Sequence, residues 1–348
     1  MDRDVRARLE ELLRGARRLA DDADPIGREA RARLTRSSGL SRENVEWALR
    51  EALETSPSDA ELEALVESVA TTPRSHVLLS ANVFVAAHRA IALALAASPE
   101  VYVRPSRREP EMTELLAEAT PGLFRRVDEL TPSAGDQLFA YGRAETLDQV
   151  ARALPEGVLL STHGPGFGVV VLSEPLEDDE RLATALSVDI TAFDQRGCLS
   201  PRVALLEAPR ERALAFAKLL AASLTARQNE VPLGALGEQE RAEIARYRDT
   251  LLYTGELYPA GEGYVGVAAP DAPLELAPVG RNLHVLAVDD ATALLEPVQH
   301  AITTFSHAGP EERRERLAAI LPHARAAKLG RMQTPLFDGP VDRRVKAR

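Results

Sequence analysis

The sequence predicts an α/β protein, a mostly parallel sheet covered by helices and preceded by a helical N-terminal segment. Two observations carry this. From about residue 75, short β-rich apolar runs alternate with helical stretches, the pattern of consecutive βαβ units. Before that point the apolar residues fall at helical spacing. Parallel strands joined this way are expected to cross over with the right hand.

The elements follow in order. Ser41 precedes Val45, Leu49 and Leu53, an i, i+4 stripe that gives one buried helical face. Ser58 and Glu61 have the spacing of a capping box ahead of Leu62, Leu65, Val66 and Val69. Strands are then expected at 76–80, 101–103, 137–140 and 157–161, alternating with helices at 84–97, 112–119 and 145–154. A second α/β series follows, with strands at 169–172, 203–207, 264–268 and 283–288. Helices are expected near 179–188, 209–228, 291–302 and 310–320. The acidic, proline-containing stretch 173–179 reads as the domain boundary.

Composition narrows the function. A chain of 348 residues has room for two domains, and 45% hydrophobic content is enough for a sizeable core. A net charge of -11 argues against a nucleic-acid partner, which needs surplus clustered cations. The longest apolar stretch, 84–97, is short and carries His88 and Arg89, so no membrane span is expected. No signal-peptide pattern opens the sequence, and a single cysteine permits no intrachain disulfide; both point to the cytoplasm. The seven histidines form no HExxH or Cys/His cluster, so no metal site is expected. Neither the GxSxG elbow of a serine hydrolase nor GxGxxG is present.

That leaves Cys198, the only cysteine. It follows Gly197, precedes Pro201, and is flanked by Arg196 and Arg202, whose charge favours a thiolate. A buried structural thiol is the alternative. Upstream, Asn82 ends a strand before a helix, where its amide could donate to a developing oxyanion or simply cap the helix. Arg104 and Ser106, followed by Arg107 and Arg108, end another strand and suit a nucleotide ribose or its 2′-phosphate, or a solvated edge. Gly142 leads into a helix whose N-terminus could face a phosphate; a plain turn is the other reading.

In this order and spacing the segments resemble the aldehyde dehydrogenase superfamily, and more closely the fatty acyl-CoA reductases that supply aldehyde to bacterial luciferase, over about residues 40–340. The segment 79–83 is similar to that family's strand-end Ser-x-Asn, and 103–106 to its cofactor-binding Lys/Arg-Pro-Ser. Tyr141 and Gly142 with Thr146 resemble its helix entry, and His163-Gly164 its His-Gly turn. The loop 197–201 resembles its nucleophile loop, and 330–335 a motif of its tail. Phe84 departs from the proline usual after Asn-x, and the segment 335–342 lacks the usual tryptophan.

The resemblance implies an aldehyde dehydrogenase-like fold. Residues 1–173 would hold N-terminal helices and a Rossmann-type domain for a nicotinamide dinucleotide, and 174–305 a catalytic α/β domain. Residues 306–348 would return to the cofactor domain or an oligomer interface. It implies NADPH-dependent reduction of a long-chain acyl-CoA thioester, or of an acyl group on a carrier, to an aldehyde. Cys198 would be the nucleophile and Asn82 an oxyanion donor, and His163 would stand where hydrolytic relatives place a glutamate base or serve as a satisfied turn histidine. Without that base the acyl-enzyme would not be hydrolysed. Arg104, Ser106, Arg107, Gly142 and Thr146 would bind the cofactor, and the arginine cluster favours NADPH over NADH. A homodimer or tetramer, and a ligase or thioesterase as partner, complete the expectation. Two other readings stay open: an acyl-phosphate reductase of the semialdehyde-forming type, and a non-catalytic scaffold.

Overall fold

The computed structural model describes residues 1–270 and 272–344, and the chain divides into two units. The first comprises Met1–Ser38, Val45–Pro165 and the described part of Leu336–Arg348. The second comprises Gly39–Asn44 and Gly166–Pro335.

In the first unit, helix Arg3–Ala20 buries Leu9, Leu12, Leu13, Ala16 and Leu19, one apolar stripe at helical spacing. The Ser58–Glu61 capping box forms, and Val45, Leu49 and Leu53 are buried as the spacing predicts. The sheet contains β1 (Arg74–Leu78), β2 (Glu100–Arg104), β3 (Arg125–Arg126), β4 (Gln137–Tyr141) and β5 (Leu159–His163) in the order β3-β2-β1-β4-β5. Every neighbouring pair is parallel. Helices Ala86–Ala97, Glu111–Ala119 and Ala144–Ala153 make the crossovers. The first of these is apolar nearly all round and is buried along almost its whole length, as such a helix must be.

In the second unit, β6 (Phe167–Ser173), β7 (Pro201–Glu207), β8 (Gly255–Ala260), β9 (Gly263–Ala268), β10 (Leu283–Ala287), β11 (Ile302–Ala308) and β12 (Arg325–Ala327) form one sheet. Its order is β12-β11-β6-β7-β10-β9-β8, parallel except for the β8–β9 hairpin. Alternate residues feed two cores, as strand geometry requires. Val170, Leu172, Ala204 and Leu206 pack with helices Asp179–Thr191 and Arg210–Glu230. Val169, Val171, Val203 and Leu205 pack on the other face with Leu295 and Leu317. Both faces being covered explains why β6 and β7 read as continuous apolar runs. Among the described residues no helix is long and apolar enough to cross a membrane.

The unit boundaries differ from the expected 173/174 and 305/306. Strand β6 hydrogen-bonds to β7 and β11, so 166–173 belongs with the second unit, and the stretch 173–179 is only the turn into its first helix. Strands β11 and β12 likewise keep 302–327 there, and the chain re-enters the first unit at Leu336. The helix expected to run to 302 stops earlier, because Ile302, Thr303 and Thr304 begin β11. Helix Glu238–Thr254 and strand β8 were not anticipated, although Ile244, Tyr247 and Leu251 carry a helical stripe.

Candidate active site

In the first unit the strand order reverses between β1 and β4, and the carboxyl ends of the strands beside that reversal are where open α/β sheets bind ligands. Register brings the ends to one level. Leu78 pairs with both Arg104 and Ala140, and Tyr141 pairs with His163. Residues expected to bind a cofactor therefore share this edge: Arg104 at the end of β2 and Ser106 just after it, and Gly142 and Thr146 after β4. Arg104 and Ser106 are half-buried, while Arg107 and Arg108 are exposed. Among the described residues no acidic side chain forms a salt bridge with Arg104, Arg107 or Arg108, so their charge is available to an anion. Helix Ala144–Ala153 has no side-chain cap at Arg143, which leaves its first N–H groups to a ligand or solvent. Asn82 lies exposed in the loop after β1.

His163 ends β5 at the same sheet edge. Its ring stacks on Tyr141, centroids 4.2 Å apart and 6° from parallel, and is 7% exposed. Neither ring nitrogen has a hydrogen-bond partner among the described residues. Burial holds its pKa down to about 4, with Asp342 opposing and Arg344 adding to the effect, so the ring is neutral at pH 7. Arg344 itself donates to Asp342 (2.8 Å) and to the carbonyl of Pro165 (3.1 Å).

Cys198 lies in the second unit at the amino edge of the sheet, just before β7, and is half-buried. Its carbonyl accepts from Thr303 Oγ1, which also donates to Phe167 O at 3.0 Å. Thr303 can reach both because the β6–β11 register shifts at this point. Ser200 N–H donates to Gly197 O (3.1 Å) and Gly168 N–H to Ser200 O (2.8 Å), so the loop is pinned to the start of β6. Glycine is needed at 168, where an added Cβ would stand 2.5 Å from Leu199 O.

Both flanking arginines are engaged by other groups. Arg196 donates to Glu240 (3.1 and 3.3 Å) and to Ala235 O (2.6 Å). Arg202 is tied to Ala277 O, and burial lowers its pKa to about 10. Both guanidinium groups thus have partners of their own.

The backbone ahead of the thiol is unusual. Phe193, Asp194 and Gln195 have φ of 52°, 50° and 63°, three successive non-glycine residues in the left-handed region. Each costs about 1–2 kcal/mol relative to a right-handed residue, so the turn must be held from outside. Asp194 is fully buried and accepts from Arg281 Nε (3.0 Å) and Nη2 (2.7 Å), from Asn44 Nδ2 (3.2 Å) and from Gly234 N–H (3.0 Å). Burial lowers the pKa of Arg281, and Asp194 counters it. Asn44, Asp194, Gln195, Arg281, Asn282 and Thr303 were not foreseen. No local signal marked them, since most of their partners lie far away in sequence.

Comparison with known proteins adds the following. The family model for acyl-CoA reductase (LuxC) matches residues 125–339. No curated protein matches the sequence. Among solved structures, an oxidoreductase from Marinobacter aquaeolei superposes with TM-score 0.71 at 15% identity, over 99% of this chain and 85% of that one. A gamma-glutamyl-gamma-aminobutyraldehyde dehydrogenase from Burkholderia cenocepacia J2315 gives 0.68 at 18% identity, over 98% and 80%. A succinic semialdehyde dehydrogenase from Streptococcus pyogenes, solved with NADP+, gives 0.69 at 13% identity, over 100% and 90%. At these identities the structures establish a shared aldehyde dehydrogenase-like fold.

Proposed function

The chain belongs to the acyl-CoA reductase (LuxC) family, and from that premise we propose that it reduces a long-chain acyl-CoA to an aldehyde with NADPH, through an acyl-enzyme on Cys198. Family membership makes it an enzyme of aldehyde-related oxidoreduction. The observation that carries the finer reading is the thiol itself. It is the only one in the chain, it is not fully buried, and it is pinned in a hydrogen-bonded loop at a sheet edge.

In this reading the Cys198 thiolate attacks the thioester carbon, and the oxyanion that forms is met by donors, the Asn82 amide among them. Collapse expels the CoA thiolate, which takes up a proton, and leaves an acyl group on sulfur. NADPH, when bound, would supply a hydride, two electrons with one proton, to that acyl carbon. Cleavage of the carbon–sulfur bond then releases the aldehyde and regenerates the thiolate. His163, buried against Tyr141 and with its pKa held down to about 4, is a weak base, which fits an enzyme that does not activate water against its acyl intermediate.

The carboxyl edge of the first sheet fits the dinucleotide. Arg104 and Ser106 would hold the adenosine ribose and Arg107 its 2′-phosphate, with Gly142, Thr146 and the uncapped helix start near the pyrophosphate. Assembly as a homodimer or tetramer is proposed on family grounds alone.

The test is incubation of purified protein with a long-chain acyl-CoA. Without NADPH, mass spectrometry should find one acyl adduct, on Cys198; with NADPH, aldehyde should form and absorbance of the reduced cofactor should fall. Aldehyde production by Cys198→Ala at the unaltered rate would refute the reading.

A further inference from the structure

We propose that Asn44, acting with the Asp194–Arg281 pair and Gln195, is a positioning residue for the Cys198 thiol; this rests on the reading of Cys198 as nucleophile. The chain leaving helix Asp179–Thr191 reverses through the three left-handed residues before it reaches β7. Asn44 reaches this turn from the N-terminal part of the sequence and is 1% exposed. Its Oδ1 accepts from Phe193 N–H (3.1 Å), and its Nδ2 donates to Thr191 O (3.0 Å) and Asp194 Oδ1 (3.2 Å). One amide thereby joins the last helical carbonyl to the first two residues of the turn.

From the other side, Arg281 binds Asp194 and also donates to Pro232 O at 2.9 Å and Val231 O at 2.5 Å. Gln195 carries the position onward. Its Nε2 donates to Pro201 O (2.9 Å) and Asn282 O (2.7 Å), and its Oε1 accepts from Asn282 N–H (2.7 Å). Residues 195 and 201 bracket the loop that carries Cys198, so the Gln195–Pro201 bond closes the loop at its base. Moving the turn therefore moves the thiol. An attacking atom misplaced by about 1 Å can cost about a hundredfold in rate.

The brace gives this family member a rigid mount for sulfur built from residues that never touch substrate. Weakening it should act on the acylation step and leave ligand binding alone.

The experiment compares wild type, Asn44→Ala, Asn44→Ser and Gln195→Met with Cys198→Ala. It measures single-turnover acylation by long-chain acyl-CoA, KM and kcat, NADPH affinity by fluorescence titration, and the pH dependence of Cys198 alkylation by iodoacetamide. Expected is a fall of about tenfold to a hundredfold in acylation and kcat for folded variants. KM and NADPH affinity should stay within about twofold, and the alkylation profile should shift. Wild-type acylation and alkylation in a folded variant would overturn the proposal while Cys198→Ala remains inactive. Activity in Cys198→Ala would instead sink the nucleophile reading beneath it. If all three brace variants fail to fold, the proposal also falls, because the amide would then serve the fold rather than the thiol.

Discussion

Removing the Arg89 guanidinium should destabilise the first unit by about 3–5 kcal/mol, the usual cost of leaving a buried ion without its partner. Arg89 sits on helix Ala86–Ala97 with its side chain 3% exposed. Its Nε and Nη2 donate to Glu54 Oε1 at 3.0 and 2.5 Å, and its Nη1 to the carbonyls of Leu336 (2.7 Å) and Gly339 (2.9 Å). The guanidinium also lies 5.1 Å from the Phe337 ring centroid, on which His88 stacks. The same groups therefore hold the returning tail. Burial alone would raise the Glu54 carboxyl, yet Arg89 and His88 bring it down to about 2 from 4.5. A displacement of that size is worth about 3 kcal/mol.

Arg89→Met leaves Glu54 desolvated and two carbonyls without their donor. Urea unfolding followed through Trp47, the only tryptophan and a residue of the first unit, reads the loss directly. Because the folded carboxyl is depressed, its stabilisation is complete above about pH 4.5 and disappears as pH falls towards 2. Adding Glu54→Leu to Arg89→Met should restore part of the loss, since no buried charge then lacks a partner. A loss below about 1 kcal/mol at pH 7, or no recovery in the double variant, would refute the reasoning.

Three other outcomes follow from the same structure. Gly168→Ala should lower stability by about 1–3 kcal/mol and slow acylation, since its Cβ would press on Leu199 O at 2.5 Å and on Met332 Cε at 2.8 Å; an unchanged Tm counts against it. Burial pushes the Asp189 carboxyl up to about 7, although the N–H groups of Gly330 and Met332 hold it at 2.6 and 2.8 Å. Its ionised form is thus disfavoured in the fold, and stability should decline as pH rises from about 4 through 7. Asp189→Asn should flatten that slope between about pH 4 and pH 7, and parallel wild-type and variant curves would contradict it. Arg107→Ala should reduce the preference for NADPH over NADH by about tenfold; a wild-type enzyme equally efficient with both cofactors removes the argument.

Much of the site was legible as positions and little of it as contacts. Asn82, Arg104, Ser106, Gly142, Thr146 and His163 could be placed after strands because alternating apolar runs mark strand ends, and the structure sets those ends along one sheet edge. The environment of His163 was not legible, since it depends on stacking against Tyr141 and on the charges of Asp342 and Arg344 far along the chain. Arg196 and Arg202 show the same limit. Adjacency to Cys198 suggested a charge effect, whereas Glu240 and Ala277 engage them in the folded chain.

Local periodicity, capping and the lone thiol are properties of short windows, so the sequence by itself determined the α/β class, most of the strands, the Ser58–Glu61 cap and the segments that carry the candidate chemistry. Tertiary structure alone decided the rest. Pairing of β6 with β7 and β11 moved the unit boundary, and the left-handed turn before Cys198 exists only because Asn44, Arg281 and Asn282 arrive from distant parts of the chain. Backbone conformations that local energetics disfavour persist where buried long-range hydrogen bonds outweigh their cost, and no short window of residues contains both sides of that balance.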